Sequence, residues 1–276
     1  MYNKAYVEIT NTCNMNCSFC HGRSRPPREM SMEEFSLVLD RLEGLTEYLY
    51  YHLMGEPLTH PLLPEFLRLA RIRGYKSIIT TNGTLLTARG TEILQAGLHK
   101  VNISLHSFEN GTQKAQEEYV LALAEFAKKA AGYGTIVVFR LWNQGVDGGK
   151  NELALALLKA SIHGEWKENT RGIRIRDRLF IEFGERFAWP DKSAEIQGEK
   201  FYCYGLKDQF GILSDGTVVP CCLDSDGTIS LGNAFTDDLE TVLSSERAQK
   251  MRDGFRCGIA SEELCRRCGY AQKFVR

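Results

Sequence analysis

Nine cysteines in two separated groups constrain this chain more than any other feature. Cys13, Cys17 and Cys20 lie within eight residues, no cysteine follows until Cys203, and Cys221, Cys222, Cys257, Cys265 and Cys268 complete a second group. At 276 residues the chain can bury one large core or two modest ones, far above the size at which secreted domains need disulfide staples. The thiols therefore point to metal, and to two sites. A composition of 43 % hydrophobic and 25 % charged residues excludes disordered and fibrous classes. Lys+Arg 34 against Asp+Glu 35 leaves a formal charge of -1, so no global basic field is available to hold nucleic acid or an anionic membrane. Residues 1–10 carry no signal-peptide core and no run of about 20 uncharged apolar residues occurs, which makes the cytoplasm the expected location.

Between the two groups, short strand-like runs alternate with amphipathic helical runs, the pattern of βα units around a parallel sheet. Strands are expected at 5–9, 48–54, 76–81, 100–105, 135–141 and within 174–183. Ser31 followed by Glu34 reads as a capping box for a helix turning Met32, Phe35, Leu39 and Leu42 inward. Further helices are expected from 64 to Gly74, from 87 to Gly97 and over 113–131. Six units are too few for a closed eight-stranded barrel, so the expected fold is α/β, a partial (β/α)6 TIM-like barrel over residues 1–190. A polar stretch at 189–200 with Pro190 and Gly198 marks a boundary. Beyond it, 210–213, an Asp215-Gly216 turn and 217–219 read as a β-hairpin, with Asp237 and Glu240 as caps of a helix running to Arg252. Residues 191–276 are thus a small hairpin-plus-helix domain carrying the second cysteine group.

Cys13-Asn14-Met15-Asn16-Cys17-Ser18-Phe19-Cys20 places three thiolates on one loop directly after the first strand, at the end of the barrel where (β/α) enzymes hold their chemistry. Structural zinc sites and ordinary electron-transfer clusters take four protein ligands, whereas three leave one coordination position for something that is not protein. A fourth ligand from elsewhere, His21 or a distant cysteine, is the alternative. The CxxxCxxC spacing, with Phe19 just before the third cysteine, resembles the core motif of the radical S-adenosylmethionine (radical SAM) superfamily. The resemblance implies that Cys13, Cys17 and Cys20 hold a [4Fe-4S] cluster whose unique iron is chelated by S-adenosyl-L-methionine (SAM). One electron then cleaves the sulfonium, giving methionine and a 5′-deoxyadenosyl radical that abstracts a substrate hydrogen. Cofactor contacts are implied for Phe19, for Ser104 at the ribose, and for Met54, Gly55 and Glu56, a variant of the family's Gly-Gly-Glu motif in which Met54 replaces the first glycine. Read alone, Gly55-Glu56-Pro57 is a turn with a solvated acid and Ser104 a small barrel-filling residue; Thr80-Thr81-Asn82-Gly83, which ends the third strand, is read as a turn, with leaning over the cofactor as the alternative.

In the second group, Cys203 and Cys221 flank the hairpin and Cys265-Arg266-Arg267-Cys268 closes the chain, a complete four-ligand set for zinc or for an iron-sulfur cluster. Spacing alone does not choose between them. The Cys203…Gly216-x4-Cys221 arrangement resembles the SPASM/Twitch region that follows radical SAM cores, which implies a second, auxiliary [4Fe-4S] cluster on Cys203, Cys221, Cys265 and Cys268. Cys257, Cys265 and Cys268 do not reproduce the full SPASM cysteine run, so the one-cluster Twitch form fits better. Cys222 cannot point the same way as Cys221 if the strand continues through both, leaving it a buried thiol, a substitute ligand or a reactive residue. Cys257 is left as a remnant ligand, with a second partial cluster as the alternative.

A full auxiliary set resembles that of the Twitch-containing alcohol dehydrogenases and sulfatase-maturing enzymes, and implies a two-electron oxidation by an oxidoreductase. The implied partners are a small-molecule or peptide substrate and an external electron donor such as flavodoxin or ferredoxin. Peptide crosslinking or epimerisation and nucleotide rearrangement are alternatives within the family, and an iron-sulfur or zinc carrier is the non-catalytic one. The chain starts at the barrel without room for a leader-peptide recognition domain, which weighs against the peptide reading. Arg140 and Arg186 are candidate substrate-binding groups or ion-paired surface residues, and His106 a candidate proton carrier or hydrogen-bonding residue.

Overall fold

Alternation builds the first strand, β1 (Lys4–Val7): Ala5 and Val7 are fully buried against the helices, while Lys4 and Tyr6 take the opposite face. In this computed structural model, which describes residues 1–274, the expected units follow in order: α1 (Met32–Arg41), β2 (Tyr48–Tyr50), α2 (Leu63–Ile72), β3 (Lys76–Thr81), α3 (Leu86–Gln95), β4 (Lys100–Ser104), α4 (Gln113–Gly132) and β5 (Ile136–Leu141). The Ser31–Glu34 capping box is present in both directions, and α1 buries Phe35 and Leu39, with Leu42 just past its end. Chain reversal after α2 and α3 uses Gly74 and Gly97 at φ +84° and +90°.

Three expectations are corrected. A helix, α5 (Lys150–Ser161), follows β5 where none was read; it starts after Gly149 without a side-chain cap, so the sequence offers no start signal. The sixth strand is an antiparallel ribbon of β6 (Lys167–Asn169), β7 (Gly172–Arg176) and β8 (Leu179–Phe183), of which β8 alone pairs parallel with β5. Arg178 at φ +61° makes the reversal within the stretch expected to hold a single strand. The helix expected to reach Arg252 is two: Asp238, not Asp237, caps α6 (Leu239–Leu243), and Ser245 caps α7 (Glu246–Arg256).

The hairpin forms as read, β9 (Gln209–Ile212) and β10 (Thr217–Val219) turning at Gly216, φ +85°. β9 also pairs parallel with β1, Ala5 opposite Phe210, so the sheet continues past residue 190. With β11 (Gly232–Asn233), eleven strands run β11-β10-β9-β1-β2-β3-β4-β5-β8-β7-β6, an open sheet rather than a closed barrel. A short helix, α8 (Glu263–Arg266), carries Cys265.

The two faces of the sheet differ in chemistry. Leu49, Ile79, Val101, Ile103, Phe139 and Ile181 are buried beneath the helices, each contributing about 1.5–3 kcal/mol on transfer from water. The alternate positions, Tyr6, Tyr50, Thr80, Asn102, Arg140 and Glu182, line the inner face, in register as Tyr6–Tyr50, Thr80–Asn102 and Arg140–Glu182.

Candidate active site

β1 delivers the chain into the first cysteine loop at the C-terminal edge of the parallel strands. Cys13 and Cys20 are exposed and Cys17 is half-buried. The Cys20 amide donates to the Cys17 carbonyl at 3.1 Å, and the Met15 amide to Cys13 Sγ at 3.4 Å. Asn82, just past β3, donates from Nδ2 to Asn14 Oδ1 at 2.9 Å and lies 3.9 Å from Cys13 Sγ. Burial raises the Cys13 thiol above its ordinary range and pushes Cys17 up to about 12, with the neighbouring Glu109 and the other two cysteines adding to the effect on Cys17. Thiolate ligation here therefore has to displace protons.

The Met54-Gly55-Glu56 turn lies against the backbone that precedes Cys13. Gly55 sits at φ +78°, and a Cβ there would come within 2.3 Å of the Thr10 carbonyl oxygen and 2.9 Å of that of Thr12. The Glu56 amide donates to Thr12 O at 2.8 Å, and the Met54 amide to Glu8 Oε2 at 3.2 Å. Glu56 is not a solvated acid, as the turn read alone would have it. Its carboxyl is 2 % exposed, accepts from the Asn82 amide at 2.7 Å and the Leu58 amide at 3.0 Å, and is raised by burial to about 7. Asn82 thereby joins this turn to the cysteine loop.

Phe19 packs its ring 4.8 Å from His106 and 5.4 Å from the Arg186 guanidinium, and its carbonyl accepts from Trp189 Nε1 at 2.9 Å. Arg186 pairs with Glu109 at 3.0 Å, and Glu109 accepts from the Ser18 amide at 2.5 Å and from the Ser18 hydroxyl. His106 shares a hydrogen bond with the Arg140 carbonyl through Nδ1 at 3.0 Å, and burial lowers it to about 4, so the ring is neutral near pH 7. Arg140 lies deeper on the inner face, paired with Glu182 at 3.1 Å and stacked over Trp142 at 4.5 Å. Ser104 ends β4 half-buried, its carbonyl accepting from Ser107 Oγ at 2.7 Å. His21 bonds Asp226 at 2.9 Å and stacks on Trp189.

The second group gathers at the other edge of the sheet, because β10 runs antiparallel to β9 and returns the chain to the N-terminal ends of the strands. Burial, then the fields of Cys222, Cys203, Cys265 and Cys268, raise the Cys221 thiol well above its ordinary range. Cys203 and Cys265 are likewise raised by burial first and then by neighbouring thiols. Cys222 also packs with Tyr6, Leu53, Leu213 and Val219 on the inner face, because β10 ends at Val219 and the strand does not continue through both cysteines. Cys257 is exposed at the C-terminal end of α7.

Among the described residues, no three His, Cys, Asp or Glu side chains close on one point as a single metal ion requires. Thiols that feel one another's charge without converging on one ion fit a larger inorganic group, each holding one corner. The Radical SAM superfamily profile matches residues 7–145. The chain belongs to this superfamily. An iron-sulfur cluster-binding domain, SPASM, matches residues 203–269. The enzyme therefore uses SAM and a [4Fe-4S] cluster in its core and an auxiliary iron-sulfur site behind it.

A relative from Sulfolobus acidocaldarius named "Probable GTP 3',8-cyclase" is 34 % identical, with 93 % of this chain and 92 % of that one aligned. The "GTP 3',8-cyclase" of Chlorobaculum tepidum is 33 % identical over 107 residues, of which this enzyme covers about a third of the length, 32 %. The crystal structure of BtrN in complex with AdoMet and 2-DOIA shares the fold, with a TM-score of 0.63 at 16 % identity over 97 % of this chain and 93 % of that one. No helix among the described residues is long and apolar enough to cross a membrane.

Several site residues escaped the sequence reading. Glu109 lies in a loop with no motif, and Asn82 carries a turn signal that hides its second role, its Oδ1 accepting from the Thr84 amide at 3.0 Å while its Nδ2 serves the cysteine loop. Glu8 was visible only as a charge in an otherwise apolar run.

Proposed function

We propose that the enzyme oxidises a small molecule by two electrons, with the substrate on the inner face of the sheet between the two thiol groups. The observation that carries this reading is their placement at opposite ends of the strands of one polar sheet face, with the Cys222, Cys203, Cys265 and Cys268 thiols all near enough to raise Cys221; of these we take Cys203, Cys221, Cys265 and Cys268 as the protein ligand set. A cluster ligated wholly by protein has no iron left for substrate and is suited to outer-sphere electron transfer. Cys13, Cys17 and Cys20 hold the core cluster, the Met54-Gly55-Glu56 turn and Ser104 serve SAM, and residues 1–190 and 191–276 divide the two tasks.

When bound, the core cluster and SAM would supply hydrogen-atom abstraction, and the auxiliary cluster would supply an acceptor for the second electron, the proton leaving to solvent or a base. The chain's own residues position and shield. Glu109 and Arg186 hold Ser18 and Phe19, and thereby the cysteine loop, across from β4. His106, neutral and hydrogen-bonded to the backbone, closes the side of Phe19 rather than carrying charge to the substrate. Arg140, committed to Glu182, orients the inner face. The exposure of Cys13 and Cys20 supports an external electron donor, flavodoxin-like or ferredoxin-like, reaching the core cluster in a reducing compartment.

Nucleotide rearrangement is the second reading, favoured by the likeness to the Sulfolobus acidocaldarius relative. The deciding experiment incubates reconstituted enzyme anaerobically with SAM and a low-potential reductant. Formation of 5′-deoxyadenosine, abolished in Cys17→Ala, is expected; activity retained in that variant would sink the core assignment. Oxidised rather than isomeric product separates the two readings.

A further inference from the structure

The inner face of the sheet carries more positive charge than it neutralises. Lys4 projects from the start of β1 and lies over the Tyr6 and Tyr50 rings, at 5.4 and 5.2 Å from their centroids. Lys100 projects from the start of β4, where the Arg140 and Lys4 charges both depress it and the Glu182 charge supports it. Glu182 is already paired with Arg140. Among the described residues, neither lysine has a carboxylate within 4.0 Å. Burial is the first cause lowering both ammonium groups, and Arg140 lowers each further. The Cys222 thiol is the largest charge acting on Lys4 and supports it, ahead of Arg140; Asp208 also supports Lys4, and Arg171 depresses Lys100. Half-buried ammonium groups left without an acid in a shared field are costly unless something anionic meets them.

A second, independent observation lies one layer above. Asn102 is fully buried and its Oδ1 accepts nothing, while its Nδ2 donates to Thr80 Oγ1 at 3.2 Å. His52, at the end of β2, has an unpartnered buried Nδ1 and shares a hydrogen bond with the same Thr80 hydroxyl through Nε2 at 3.3 Å. Native interiors rarely leave such groups without a partner. Asn102 stands two residues from Lys100 on β4, and the Lys4 charge acts on His52.

We propose that Lys4 and Lys100 form an anion subsite for a phosphate group of the substrate, with Asn102 and His52 meeting hydroxyl groups carried on the same molecule. Phosphate is favoured over carboxylate because the free cations are lysine point charges, while the guanidinium fork that would grip a carboxylate in two places is engaged by Glu182. The inference rests on the inner face being the substrate chamber, and it narrows the substrate to a phosphorylated, hydroxyl-bearing small molecule.

The test is a calorimetric titration of the reconstituted enzyme with inorganic pyrophosphate, SAM being kept in excess. Wild type should bind, more weakly as salt rises. Lys4→Met and Lys100→Met should each weaken binding roughly tenfold, while Lys100→Arg should retain most of it and the exposed Lys114→Met should not change it. Citrate at equal ionic strength should bind at least about tenfold more weakly. No binding by wild type, or affinities unchanged in both methionine variants, overturns the subsite. If Lys4→Met fails to fold, the Lys100→Met and Lys100→Arg pair decides alone. Citrate binding as tightly as pyrophosphate overturns the phosphate assignment. Wild-type 5′-deoxyadenosine formation, measured in parallel, judges the radical reaction separately: pyrophosphate binding without it removes the reaction and leaves the subsite, and the converse removes the subsite alone.

Discussion

One nitrogen of Arg25, Nη2, straddles both carboxylate oxygens of Glu8, at 2.6 and 2.7 Å, in a site where the Glu8 side chain has no exposure. The same carboxylate accepts from the Met54 amide, the Ser214 amide at 3.1 Å and the Ser214 hydroxyl at 2.9 Å. Arg25 also reaches the Ser225 carbonyl at 2.8 Å. A buried charge is tolerated when it is paired and its remaining lone pairs are filled, as here. Five separate pieces meet at this ion pair: the end of β1, the Gly55 turn and the β9–β10 turn at Glu8, the segment after the cysteine loop that carries Arg25, and the stretch after Cys222 that Arg25 reaches. Glu8→Gln should therefore destabilise the enzyme by about 3–5 kcal/mol, by leaving the Arg25 guanidinium without its counter-charge. Urea unfolding of the reconstituted protein measures it, and a loss under about 1 kcal/mol would show the pair to be dispensable.

Gly55→Ala should disturb the first cluster and spare the second. A methyl at that position would push on the Thr10 and Thr12 carbonyl oxygens and on the Asn11 carbonyl carbon, backbone that leads straight into Cys13. Iron should fall from about eight to about four per chain, with sulfide in parallel. Full iron in the variant would mean that the loop accommodates the side chain.

Burial holds Glu56 protonated up to about pH 7, whereas the unfolded chain releases that proton near its ordinary value of 4.5. Between those values the folded state binds more protons, so this group's contribution to stability is present at low pH and is lost as pH rises through 7. The contribution is of order 3 kcal/mol. Unfolding free energies of wild type and Glu56→Gln, compared at pH values across this window, should diverge by about that much, wild type losing relative stability as pH rises. Parallel curves would contradict the assignment.

Cys265 and Cys257 should behave oppositely. Cys265→Ala removes one of the gathered thiols, and iron should fall by about four per chain while 5′-deoxyadenosine still forms and oxidised product does not. Cys257→Ala should leave iron unchanged, because its thiol is exposed at the C-terminal end of α7 and is not among those whose charges raise Cys221. Oxidised product surviving in Cys265→Ala would reduce the auxiliary site to a structural role.

Much of the fold was legible because its signals are local. The capping box at Ser31, the glycines closing α2 and α3 and the Asp215-Gly216 turn each act within a few residues, and the structure has them where the sequence reads them. The missed α5 has no cap, and the split at Arg178 has a side chain that does not advertise a positive φ. The two cysteine groups were equally plain, since three thiols in eight residues need no tertiary information to be neighbours.

What sequence determined by itself was therefore the βα alternation, the open six-unit core and the presence of two thiol groups. Tertiary structure alone decided how they face one another. Pairing of β9 with β1 carries Cys221 to the opposite edge of the sheet from Cys13, and strand register alone turns Lys4, Lys100 and Arg140 onto one face. Likewise, only folding brings Glu8 within 2.6 Å of Arg25, 17 residues on, and within 2.9 Å of Ser214, 206 residues on. The physical reason is that each strand's alternation is local, but which positions become neighbours across strands depends on register, a property of the assembled sheet.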